Sequence, residues 1–190
     1  MSTLISNKAG FYEEISIDSG AYFNGVEYPD GETFVKAKSL RDSHPKNIFL
    51  VKNVMTSDEQ DDALFVVKIA KIQEISDQNQ EYLKTAFEYP VSSGNVFSVS
   101  KLDGKFQDYI ALLTNKDSLT YPFTYSQNSD RVVLADEPDL LNFYAAAQTA
   151  FLAADAGRYQ PAVNAIEAVT IASAGGYDEA IAEVLAVTYE

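Results

Sequence analysis

Three groups of residues in this chain have types that could do chemistry. Asp42, Ser43 and His44 name the members of a hydrolytic triad, and His44 is the chain's one histidine. A triad works through geometry, with nucleophile, base and orienting carboxylate brought together by the fold. Three consecutive residues before Pro45 cannot supply that geometry by themselves, so His44 reads as a loop histidine. Asp58, Glu59, Asp61 and Asp62 form an acidic run that suggests calcium. A calcium loop of the EF-hand type needs glycine at its sixth place and a bidentate glutamate at its twelfth. Counted from Asp58 those places hold Ala63 and Ile69, so the motif fails and the acids read as the start of a helix. Paired carboxylates could also hydrolyse glycosides at a defined separation in a cleft. With 28 Asp and Glu in the chain, no pair stands out.

Other chemistries are excluded more firmly. There is no cysteine, which removes disulfides, thiol catalysis and cysteine metal sites. The glycines never fall into a dinucleotide-binding fingerprint or a phosphate-binding loop. No catalytic residue, metal ligand or cofactor is therefore expected, and the chain reads as a non-enzyme. A formal net charge of −14 argues against nucleic acid and against anionic membranes, both of which demand clustered Lys and Arg. The N-terminal MSTLISNKAGFYEE lacks the apolar core of a signal peptide, and no apolar run reaches the roughly 18 residues of a membrane span. The expectation is a soluble product of a cytoplasm. Tyr22, Phe23 and Tyr28, around the turn dipeptide Asn24-Gly25, have two readings. One is an aromatic patch for sugar; the other, commoner, is cross-strand packing.

The elements that must position these residues follow from pattern. The fold class is α+β, with an N-terminal β-rich hairpin segment, a long central helix, a β-hairpin and a C-terminal Ala-rich helical unit. In 1–56, FYEEISI, a short Val26–Tyr28 strand, GETFVKAK and NIFLVKNV at 47–54 are strand-like, and Asp30-Gly31 marks a turn. From Ser57 to Tyr89 the spacing predicts one helix, about 45–50 Å long. Ser57 and Gln60 have capping-box spacing, and Pro90 is the stop. Phe65, Ile69, Ile72, Ile75, Asn79, Tyr82 and Ala86 share its apolar face. Residues 92–105 read as a loop with a short strand, 106–113 as a helix, and 119–134 as a hairpin turning near Gln127–Asp130. Pro122 marks its first strand as an edge. A helix then starts at Asp136 with Leu140, Leu141, Tyr144, Ala147, Phe151 and Ala154 inward, and Gly157 ends it. A second runs from Tyr159 to Ser173 with Val163, Ile166, Val169 and Thr170 inward, and DEAIAEVLAV forms a third. The three are expected to pack on the long helix. Domain organisation is read as 1–56, an attachment or oligomerisation segment, and 57–190, a helical domain with an inserted hairpin.

One resemblance adds to this. KIAKIQEISDQNQEYLKTAF leads to a Ser/Gly turn and Phe97, then to a Gln-containing helix start at Phe106-Gln107-Asp108-Tyr109. A hairpin, LADEPDLLNFYAAAQTAFLAA and a helix containing AIEAVT follow. Over residues 63–173 this order resembles an uncharacterised domain found towards the C-terminus of tailed-bacteriophage tail-fibre, tail-fibre-assembly and other virion-associated proteins. The chain departs from that pattern at Phe106 and Tyr109, where the family carries an acid and an amide. The resemblance implies a structural protein of a virion, made in the host cytoplasm, tail-, fibre- or baseplate-associated. Its partners would be other virion proteins and copies of itself, with a homotrimer as first expectation. Head decoration, fibre-assembly chaperoning and host-glycan binding are the rival roles. The candidate interaction residues are Tyr22, Phe23, Tyr28, Phe65, Ile69 and Ile72.

Overall fold

A computed structural model of the chain describes residues 4–6, 12–23, 25–38 and 47–190. His44, its neighbours Asp42 and Ser43, and Asn24 lie outside the described residues. The fold is α+β. Contacts divide it into two compact units, 1–75 with 162–188, and 76–161 with 189–190.

The first unit holds a four-stranded antiparallel sheet in the order β1 (Leu4–Ser6), β2 (Tyr12–Ile17), β5 (Glu32–Lys38), β6 (Asn47–Val51). Between β2 and β5 the chain makes a small hairpin, β3 (Ala21–Phe23) with β4 (Val26–Tyr28). The Asp30-Gly31 turn closes as expected. The Gly31 amide donates to the Tyr28 carbonyl at 3.1 Å, and Gly31 has φ +75°. A Cβ at Gly31 would stand 2.7 Å from the Ile17 carbonyl oxygen, so the position excludes any side chain. Alternation along β2 follows the pleat: Tyr12 and Glu14 are buried, while Glu13 between them is half-buried and pairs with Lys36 at 2.9 Å.

Helix α1 runs Ser57–Lys84, its first 19 residues in the first unit and the remainder in the second. Its cap sits one residue earlier than expected. Thr56 Oγ1 accepts from the Glu59 amide at 3.3 Å, and Glu59 Oε2 accepts from the Thr56 amide at 2.8 Å. This is the reciprocal capping box, with Thr56 and Glu59 in the places expected for Ser57 and Gln60. The far end also differs. The helix stops at Lys84 rather than Tyr89, because the Leu83 carbonyl accepts from the Val99 amide at 2.8 Å and from Ser98 Oγ at 3.0 Å. Those donors satisfy an end-of-helix carbonyl from outside and let Phe87–Glu88 pair as a strand.

The buried stripe of α1 is displaced too. Ala63, Val67, Ala70, Lys71, Ile75, Asn79 and Leu83 are buried, whereas Phe65 is 51% exposed and Ile69 and Ile72 are half-buried. The run Ala63–Val67 is apolar all round, so it offers every face. Tertiary contact then selects the one carrying small Ala63 and Ala70.

In the second unit β7 (Phe87–Glu88) pairs with β8 (Val96–Phe97), followed by α2 (Lys105–Thr114) and the hairpin β9 (Phe123–Gln127) with β10 (Asp130–Leu134). The turn falls where the sequence puts it, with Asn128 in the left-handed region at φ +53°. Helix α3 (Glu137–Ala154) starts at Asp136, whose carboxylate accepts from the Asp139 amide at 2.9 Å, with Pro138 in the first turn. Phe143 is the hub of this core. It is 1% exposed, with ring centroids of Phe87, Tyr89, Phe97, Tyr109 and Tyr125 between 5.2 and 5.6 Å away.

Gly157 does not end α3. The chain passes through a π-helical turn, Asp155–Tyr159, that absorbs one extra residue and leads on into α4 (Gln160–Ala168). The expected helix over 159–173 breaks instead at Thr170. That residue is extended, at φ −129° and ψ 157°, and its side chain caps α5 (Ile171–Ala174) reciprocally with Ser173. Gly175, at φ +91°, closes α5, and α6 (Tyr177–Ala186) follows. Contacts place α3 in the second unit and α5 and α6 in the first.

Candidate functional site

A groove of 210 Å³ lies within the first unit, lined by Asp61, Leu64, Phe65 and Lys68 of α1 and by Val169 and Thr170 at the α4–α5 break. Its walls follow from local folding. Asp61, Leu64, Phe65 and Lys68 recur at helical spacing and so share one side of α1. The break between α4 and α5 leaves the last carbonyls of α4 without intrahelical donors. Lys68 Nζ supplies one of them, donating to the Glu167 carbonyl at 3.0 Å, and also donates to the Val169 carbonyl just past the helix. An ammonium at a helix C-terminus also meets the negative end of the macrodipole. Lys68 thus holds the groove's two sides together.

The groove is apolar with one acidic rim. Leu64 is 4% and Val169 3% exposed, Phe65 stands half out of the surface, and Asp61 is exposed. Its volume exceeds the roughly 150 Å³ of a cavity that takes benzene. It falls below the roughly 300–1,000 Å³ of pockets that hold cofactors or drug-sized molecules. Size and lining therefore suit a single side chain.

The buried polar clusters are committed to structure. In the first unit Tyr12 donates to Glu14 Oε1 at 2.8 Å and shares a 2.7 Å hydrogen bond with the Tyr177 hydroxyl. Lys52 Nζ bridges Glu14 Oε2 at 3.1 Å and Asp178 Oδ1 at 2.6 Å. Burial, then the neighbouring Tyr177 and Glu14, pushes the Tyr12 phenol far above its usual range. Burial likewise raises Tyr177. Burial lowers the Lys52 ammonium, but its hydrogen bonds to Asp178 and Glu14 leave it raised overall. Phenols held protonated and an ammonium held charged act as donors rather than as nucleophiles or bases near neutral pH. In the second unit Tyr109 donates to the Ser98 carbonyl at 2.6 Å, and Gln127 bonds both the Ser98 amide and the Tyr109 hydroxyl. This ties β8, α2 and β9 together. Among the described residues no group of three or more His, Asp or Glu is placed to hold a metal ion, and no helix is long and apolar enough to cross a membrane.

The six residues expected to make contacts do not converge on one patch. Phe23 stacks on Phe34 at 4.6 Å and lies 5.6 Å from Phe49, and Tyr28 meets Phe34 edge-on at 5.2 Å. They fold the small hairpin onto the sheet. Tyr22 is the exposed ring, at 70%, its hydroxyl 3.2 Å from Glu27. Phe65 lines the groove, whereas Ile69 and Ile72 sit half-buried outside its lining. Lys68 was not singled out from sequence, and Val169 and Thr170 were read only as inward positions of a helix, not as the wall of a groove. The Thr170/Ser173 spacing was a readable cap signal; nothing in the sequence ties Lys68 to carbonyls about a hundred residues away.

Comparison with models of protein families, with curated proteins and with solved structures found no match.

Proposed function

We propose that the chain is a non-enzymatic structural protein of a tailed-bacteriophage particle, associated with tail, fibre or baseplate, working by self-association and by docking to other virion proteins. The observation that carries this reading is the order of elements over residues 63–173. A long helix, a short strand with Phe97, a helix bearing Gln107, a hairpin, and a helix containing FYAAAQ succeed one another as in the domain this stretch resembles. The non-enzymatic part is supported by the buried Tyr12, Glu14 and Tyr177 and the half-buried Lys52, whose polar atoms are spent on one another and on Asp178. The groove beside Phe65 offers such a protein a place to dock.

The test is mass spectrometry of tailed-phage particles, washed in high salt, from the source of the sequence. The reading expects the chain at a fixed copy number per particle. A copy number matching the capsid lattice would move it to head decoration. Recovery only from the particle-free lysate would overturn the structural role in favour of a fibre-assembly chaperone.

A further inference from the structure

The groove's surroundings say what kind of partner it fits. Asp58 and Asp61 precede Phe65 by seven and four positions, so they fall on its side of α1. Both are exposed. Lys68, in the groove's lining, is aimed at the carbonyls of Glu167 and Val169. A half-exposed phenylalanine and a one-side-chain slot thus lie beside exposed acids, on a chain whose net charge is already −14.

We propose that this groove docks one apolar side chain, preferably aromatic, carried on a lysine- or arginine-rich segment of a partner protein. The apolar contact with Leu64, Phe65 and Val169 supplies the specific seat. The acids around it attract the flanking cations and repel acidic competitors. A second copy of this chain is the wrong occupant on charge, since it brings the same acids to the same face. Nucleic acid and anionic lipid are wrong for the same reason. The inference goes beyond the virion reading and does not depend on it.

The chain has no tryptophan, so a tryptophan in a probe reports on a silent background. The probe is a capped pentapeptide with one central tryptophan and two lysines on each side, titrated at low salt and followed by its emission. We expect a saturable blue shift that weakens as salt screens the rim. The same peptide with glutamates for lysines should not bind. Phe65→Ser should weaken binding at least tenfold, Asp61→Lys should abolish it, and Val91→Ser, at a residue outside the groove's lining, should leave it unchanged. Circular dichroism checks that each variant folds; Phe65 and Asp61 are both surface positions, so either one suffices.

Equal binding by wild type and Phe65→Ser would reduce the effect to general attraction between a basic peptide and an acidic protein, and would overturn the proposal. So would equal binding of the glutamate peptide. Light scattering that shows a dimer dissociated by Phe65→Ser, with no peptide bound, would assign the groove to a second copy instead.

Discussion

Replacing Tyr12 by phenylalanine removes one oxygen from a buried polar cluster of the first unit. The ring, 1% exposed, stays, so no cavity opens and packing is held constant. Two hydrogen bonds go. One is to the Glu14 carboxylate at 2.8 Å, a bond to a charged group of about 1.5–3 kcal/mol. The other is the 2.7 Å bond to the Tyr177 hydroxyl, neutral and about 0.5–1.5 kcal/mol. Glu14 keeps Lys52 at 3.1 Å, so its charge is not left alone. The expected cost is therefore about 2–4 kcal/mol, a fall in Tm of roughly 5–15 °C for a chain of this size. Tyr177→Phe loses the shared bond without disturbing the one to Glu14, and should cost about 1 kcal/mol. Because the shared bond can be lost only once, the double variant should be less destabilised than the sum, by about 1 kcal/mol. The assay is urea unfolding of the four proteins, followed by near-ultraviolet circular dichroism. A cost below about 0.5 kcal/mol for Tyr12→Phe, or additivity of the two changes within about 0.3–0.5 kcal/mol, would refute the reasoning.

Two further outcomes follow from the same physics. Phe143→Ala removes the hub of five ring contacts in the second unit and should cost about 3–5 kcal/mol, read as an early loss of near-ultraviolet signal; a loss under about 1 kcal/mol would mean the core collapses around the gap. Stability should fall as pH rises above about 10, where phenols in the unfolded chain lose their protons. Tyr12, Tyr109 and Tyr177, all raised by burial, and Tyr89, raised to about 12 by burial and the Asp139 carboxylate, keep theirs when folded. The unfolded state then binds fewer protons than the folded one, so alkali favours unfolding. Urea midpoints that stay flat while tyrosinate absorbance develops would contradict this.

Strands β2, β4, β5 and β6 and the β9–β10 hairpin were legible because their signals are local, whereas β1 and β7 were not read as strands. Alternation placed β2, turn residues placed Gly31 and Asn128, and capping chemistry placed the start of α3 at Asp136. What failed was set by partners distant in the chain. The end of α1 is decided by donors from Ser98 and Val99 rather than by Pro90. Its buried stripe is decided by which face of an all-apolar stretch meets the core. Gly157 looked like a stop because glycine usually is one, but a π-helical turn needs no left-handed residue and passes through it. The groove was half legible. Phe65 stood out by type and spacing, whereas its opposite wall at Val169 and Thr170, and the Lys68 bond that secures it, join residues 101 apart.

The first unit is built from two stretches of chain with the bulk of the second threaded between them, and this bears on synthesis. Tyr12 leaves the ribosome 165 residues ahead of the tyrosine whose hydroxyl it must meet. At about 5–20 residues per second, that delay is on the order of ten to thirty seconds. Throughout it the open sheet awaits its last helices while residues 76–161 can already condense. The part of the molecule translated earliest is thus among the last to mature, and limited proteolysis of arrested nascent chains would reveal that inversion.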